Sequence, residues 1–189
     1  MFHGFYGDNR FNDMSVINAL NKFGRYVVQQ SKSNLTRKGK KDTSGLYNSI
    51  SYSAKQSKNS FEFSISMEDY GTYVDKGVKG VGGTKADGKA WKKKKVTNNF
   101  YKYTTKRPPA GVFNGWIVRK GLAARNTSGQ FTKRKGLQFA IANSVFHTGL
   151  ETTEFFTKPF EQAFKRLPDE IVQAYGLEVD RFMQTALKN

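Results

Sequence analysis

Two different hydrophobic periods run along the chain. Val16, Leu20, Phe23 and Val27 recur every three or four residues, and Asp13 stands before them as a cap, which predicts a helix over 13–33 with one apolar face. A basic turn with Arg37, Lys38, Lys40 and Lys41 follows, then Asp42-Thr43-Ser44-Gly45. The period then falls to two. Ile50, Tyr52 and Ala54 alternate with Ser49, Ser51, Ser53 and Lys55, and Phe61, Phe63, Ile65 and Met67 alternate with Glu62, Ser64 and Ser66. Alternation on both sides of Lys58-Asn59-Ser60 predicts a β-hairpin with one buried face. Tyr70, Tyr73 and Val74 then share one side of a short helical turn that Gly77 terminates.

Helical spacing returns late in the chain. Phe113, Trp116, Ile117 and Leu122 suggest a short buried element, and Asn126-Thr127-Ser128-Gly129 a turn. Leu137, Ile141, Val145 and Phe146 predict a helix over 134–146 that ends near Gly149. Thr157-Lys158-Pro159 opens another, with Phe160, Phe164 and Leu167 as its stripe. Pro168, Asp169 and Glu170 suit the start of a last helix that buries Ile171, Tyr175, Val179, Phe182 and Ala186. This order predicts an α+β fold: a hairpin or small antiparallel sheet packed on an N-terminal helix and C-terminal helices, in one domain over 13–189. Residues 1–12 read as an extended arm, either a frayed end or a segment that docks Phe2, Phe5 and Tyr6 on a neighbour.

Between these elements, residues 78–110 read as a long basic loop or hairpin excursion. Glycines crowd its start, and Pro108-Pro109 closes it. Val96–Thr105, with Phe100, Tyr101 and Tyr103, could supply strands of a basic hairpin. Charge makes this region the strongest signal in the sequence. The 189 residues carry a formal +17, yet 17 Lys and Arg against one acid, Asp87, lie between Lys76 and Lys135. The remainder holds 15 basic and 14 acidic residues. Such a segment repels itself, so it belongs at the surface or against a polyanion. The candidate contacts are Lys79, Lys85, Lys89, Trp91, Lys92, Lys93, Lys94, Lys95, Lys102, Lys106 and Arg107. A glycine-rich, highly charged loop is not expected to order itself in the isolated chain.

Catalytic signals are poor. There is no cysteine, and His3 and His147 have no ligand spacing, so neither a metal nor another cofactor is expected. Glu62, Glu68, Asp69 and Asp75 read as solvated charges and helix caps, and His147 with Glu151 as a surface pair. Gly77-Val78-Lys79-Gly80 matches a minimal GxxG phosphate-clamping loop, but four residues outside a two-helix setting carry little. The longest charge-free stretch, Gly136–Leu150, is 15 residues. A span needs about 20. No secretory leader pattern opens the chain. A soluble protein without a membrane partner is expected, and not an enzyme.

Ser44-Gly45-Leu46-Tyr47-Asn48-Ser49-Ile50, two strands, and Tyr70-Gly71-Thr72-Tyr73-Val74-Asp75-Lys76-Gly77 together resemble the tail-completion, or head–tail joining (neck), proteins of tailed bacteriophages. Glu154-Phe155-Phe156-Thr157-Lys158-Pro159-Phe160 resembles that family's Phe-rich lead into its last helices. The long Lys-rich excursion departs from the pattern. The resemblance implies a structural virion protein, assembled in the host cytoplasm. Its copies would form a six- or twelve-fold ring against neighbouring portal, adaptor or tail ring proteins, with double-stranded DNA passing through. Gly45, Leu46, Ile50, Tyr70, Tyr73, Val74, Asp75, Gly77, Phe156, Pro159 and Phe160 would be its structural positions. A free nucleic-acid-binding protein that stacks bases on Trp91, Tyr101 and Tyr103 is the competing reading.

Overall fold

The computed structural model describes residues 10–57, 60–167 and 169. The fold is α+β, and the chain gathers into two compact units, each built from separate stretches of sequence. One draws on the chain up to Arg37, on Tyr47–Glu68 and on the part from Phe155; the other draws on Lys38–Leu46 and Asp69–Glu154.

In the first unit, helix α1 runs Arg10–Arg37, beyond the predicted span at both ends. Residues 10–12 are thus helical, and only residues 1–9 of the expected arm lie outside the described part, as does the expected helix after Pro168 apart from Asp169. Val16, Leu20, Phe23 and Val27 form the buried stripe, and Leu35, fully buried, continues it past Ser33. That continuation gives the last turn a face to bury, and Arg37 places a cation at its C-terminal dipole.

Strands β1 (Ser51–Ser57) and β2 (Ser60–Ser66) pair antiparallel, with Tyr52 opposite Ile65 and Ala54 opposite Phe63. The alternation is the one the sequence predicts. Tyr52, Ala54, Phe61, Phe63 and Ile65 are half-buried, whereas Ser53, Lys55, Glu62 and Ser64 are exposed. This face lies on α1, where Phe23 meets the ring of Phe63 edge-on at 5.2 Å and that of Phe160 at 5.6 Å. Phe160 belongs to α6 (Thr157–Phe164), which starts at the predicted Thr157-Lys158-Pro159. Aromatic pairs of this geometry contribute about 0.5–1.5 kcal/mol each beyond the area they bury.

The second unit holds α2 in part (Gly45–Ser49), α3 (Gly71–Lys76), β3 (Val78–Lys79), α4 (Asn114–Arg119), α5 (Arg134–Thr148) and β4 (Gly149–Leu150). A 3-10 turn at Ala110–Phe113 leads into α4. Ile117, Ala142 and Phe146 are buried and give α4 and α5 their core faces. β3 and β4 form a two-residue antiparallel ladder. Asp42 accepts hydrogen bonds from Arg119 Nε, at 2.9 Å, and from the same guanidinium's Nη2. That bond, with the charges of Arg119 and Lys120, holds the Asp42 carboxyl below its usual range. A lowered carboxylate pKa stabilises the fold above the ordinary value, and the effect fades as pH falls through the lowered one. Both groups are solvent-exposed, so screening keeps it small.

Gly24 sets how closely β1 approaches α1. A Cβ there would overlap the ring of Tyr52, at 2.6 Å from its Cγ. Gly24→Val is expected to lower stability by about 1–3 kcal/mol through overpacking. In a Tyr52→Ala background the same substitution should cost much less, which a double-mutant cycle by denaturant titration measures.

Candidate functional site

The second unit carries the charge. It holds 20 Lys and Arg against 6 Asp and Glu, whereas the first unit holds 12 against 9. Residues 78–107 contain only the two residues of β3 as strand, so the expected hairpin over Val96–Thr105 does not form. Its aromatic positions instead flank β3 through one isolated parallel bridge, Lys79 to Lys102. Lys79 N–H donates to the Tyr101 carbonyl, and Tyr103 N–H donates to the Lys79 carbonyl, both at 2.9 Å.

The segment is nonetheless laced to the end of α5. Val81 and Gly82 N–H donate to the carbonyls of Phe146 and His147, each at 3.0 Å. Further along, Lys94 N–H donates to the Thr148 carbonyl at 2.8 Å, and Thr152 N–H to the Lys95 carbonyl at 3.2 Å. Trp91 N–H closes back on the Gly83 carbonyl at 2.9 Å. The Lys76 carbonyl gathers three side chains: Thr152 Oγ1 at 2.6 Å, Asn99 Nδ2 at 2.8 Å and Thr97 Oγ1 at 3.2 Å. These bonds overturn the expectation of an unordered loop. Two of the glycines, Gly77 and Gly80, are places of close backbone approach. A Cβ on Gly80 would stand 2.5 Å from Gly149 N, and one on Gly149 would stand 2.6 Å from Gly80 N. No side chain fits between the two strands.

Side chains follow from this lacing. Lys92, Lys93, Lys94 and Lys95 are all exposed, and the backbone that carries this lysine ridge is bonded at Lys94 N–H and Lys95 C=O. Lys93 lies across Gly82. Lys79 is drawn inward, its Nζ 2.6 Å from the Asn99 carbonyl, so it is a tether and not a free contact. Lys89 belongs to a small turn in which its N–H meets Asp87 Oδ1 at 3.0 Å. Lys85 Nζ sits 5.0 Å over the Trp91 ring, and His147 stacks on that ring at 5.0 Å and 4°. Arg107 lies 5.6 Å over Phe146. Lys102 and Lys106 are exposed.

Trp91 is therefore an internal brace, and His147 serves it instead of pairing with Glu151. Tyr103, tilted at 6.0 Å from Phe146, is half-buried, and that burial pushes its phenol above the usual value. The Gly77–Gly80 match is the β3 strand, not a loop between helices.

The motif residues occupy structural joints. Leu46 and Ile50 are buried, and Pro159 seats the start of α6. Val74 and Asp75 tie α3 to the segment after β4: Thr153 Oγ1 donates to the Val74 carbonyl at 2.6 Å, and Thr153 and Glu154 N–H to that of Asp75 at 3.0 Å. Asp75 itself is 2% exposed, which corrects its reading as a solvated charge. Gly77 caps α3 with φ 74°, its N–H on the Tyr73 carbonyl. A Cβ on Gly45 would stand 3.1 Å from the Tyr70 hydroxyl. Phe156 and Phe160 are half-buried, their rings 5.6 Å apart.

Sequence reasoning missed one feature. Tyr70, Tyr73, Phe100, Tyr101 and Tyr103 converge on a single groove of about 630 Å³, together with Val74, Val78, Lys102 and Leu150. Aromatic pairs at 70/73 and 101/103 were its only visible signal. Among the described residues no three His, Asp or Glu side chains group as metal ligands, and no helix is long and apolar enough to cross a membrane. Comparison with protein-family models, curated proteins and solved structures returns no match.

The contact between the strands gives a sharp expectation. Gly80→Ala must push two backbones apart and should cost about 3 kcal/mol or more. Gly111→Ala, with nothing within 4 Å of the added Cβ, should be nearly silent. Thermal melts of both variants check the pair.

Proposed function

We propose that the chain is a structural virion subunit, a ring-forming neck or tail-completion protein that joins a phage head, at its portal side, to the tail, with double-stranded DNA passing through the ring. The observation that carries this reading is the placement of the motif residues. Leu46, Ile50, Asp75 and Gly77 lie buried at joints between elements, where they build a scaffold.

The lysine ridge supports the same reading. Four consecutive exposed lysines on a pinned backbone attract a polyanion without sequence preference and pay little ordering entropy on contact. In this reading the ridge faces the DNA. A ridge that instead clamps a neighbouring ring is the alternative within the same reading. The free nucleic-acid-binding alternative draws less support, because His147 covers Trp91 and Tyr103 packs on Phe146.

Native mass measurement of the purified chain, alone and with tail extract, should give one discrete six- or twelve-fold species. A monomer in both conditions that binds duplex DNA tightly would contradict the ring. Changing Lys92–Lys95 together to Ser should flatten the salt dependence of DNA binding by up to about 3.6 units of slope, at about 0.9 for each of four phosphate contacts. An unchanged slope with a loss of head–tail joining would move the ridge to a neighbouring protein.

A further inference from the structure

We propose that the aromatic groove of the second unit is a docking site for an extended, acidic segment of a partner protein. The groove, about 630 Å³, is of a size that binds ligands, and its wall is mainly rings and aliphatic groups. Tyr70 and Tyr73 are 45% and 46% exposed, and Phe100 is 81% exposed. Large rings gathered at one surface place are the composition of an interface core, not of ordinary solvated surface.

The backbone beside the groove selects the shape of the occupant. Tyr101 C=O and Tyr103 N–H both turn inward to Lys79. The N–H and C=O of Lys102, between them, therefore point outward, since successive residues of an extended strand alternate. Neither has a partner among the described residues. This is an open pair of backbone groups at the isolated Lys79–Lys102 bridge, where an extended peptide can pair its own backbone.

Charge selects the chemistry. Lys102 is the one charged residue that lines the groove, and no carboxylate lines the wall. An acidic segment with apolar residues at alternate positions satisfies the rings, the open backbone groups and the cation together. Duplex DNA satisfies only the cation, because its phosphates cannot fill an apolar groove. The inference does not rest on the ring reading and holds for a monomer.

The test is a displayed library of random peptides, about ten residues long, selected on the whole purified chain. Counter-selection uses the Phe100→Ala/Lys102→Glu variant, whose two altered side chains are exposed and whose fold circular dichroism verifies. The enriched peptides should carry Asp or Glu alternating with apolar residues. A synthetic peptide of the enriched sequence should bind each single variant about tenfold or more weaker, and a central proline should weaken it similarly by removing the strand hydrogen bond. Changing Lys92–Lys95 to Ser should leave its affinity unchanged. Enrichment that ignores the counter-selection, or that yields neutral or basic peptides, overturns the proposal. So does loss of binding in the Lys92–Lys95 variant, which would assign the peptide to the ridge, or displacement of the peptide by duplex DNA in a Phe100-dependent manner.

Discussion

The second unit depends on the contact between two glycines. Gly80 and Gly149 bring β3 and β4 so close that neither can carry a Cβ, and this fixes where the chain lies on both sides of the contact. On one side, β3 leads into the basic segment. On the other, β4 leaves α5 and supplies Thr152 and Thr153, which bind the carbonyls of Lys76 and Val74. A two-residue ladder has little strength by itself. It serves here as the seam from which the bonds to Phe146, His147 and Thr148 extend along the end of α5.

That seam resolves a conflict in the sequence. A segment with 17 cations and one acid should spread away from itself, because each added lysine raises the local potential. Extended backbone laced at intervals of a few residues keeps it on the surface while the lysine side chains point into water, where their repulsion is screened over about 10 Å or less. Trp91 adds a brace, with the His147 ring flat against it and Lys85 over the indole. The result is a cationic ridge in place before any partner arrives. In the proposed ring, such a ridge attracts DNA weakly and over many phosphates, which suits a duplex that must slide.

Legibility in the sequence followed the reach of the forces. The hairpin and α1 were readable because periods of two and near 3.6 residues are local signatures of a buried face, and Phe23, Phe63 and Ile65 obey them. The end of α1 was not, because Leu35 lies outside the counted stripe and its burial is a tertiary fact. The basic region was legible as charge and misread as structure. Glycines permit motion and close approach alike, and only the position of Gly149, some seventy residues away, decides between them. Tyr101 and Tyr103 were visible as aromatic residues among lysines. That they turn towards Tyr73 and Phe146 follows from the bridge to Lys79, which no local pattern announces.

The central claim is that the cationic ridge is a fixed part of the fold. Amide hydrogen exchange of the isolated chain, resolved by residue, tests it most directly. The account predicts slow exchange at Val81, Trp91, Lys94 and Tyr103, approaching that of the α5 interior, and fast exchange at the turn around Asp87. Exchange at Trp91 and Lys94 at the rate of an unstructured peptide would contradict it.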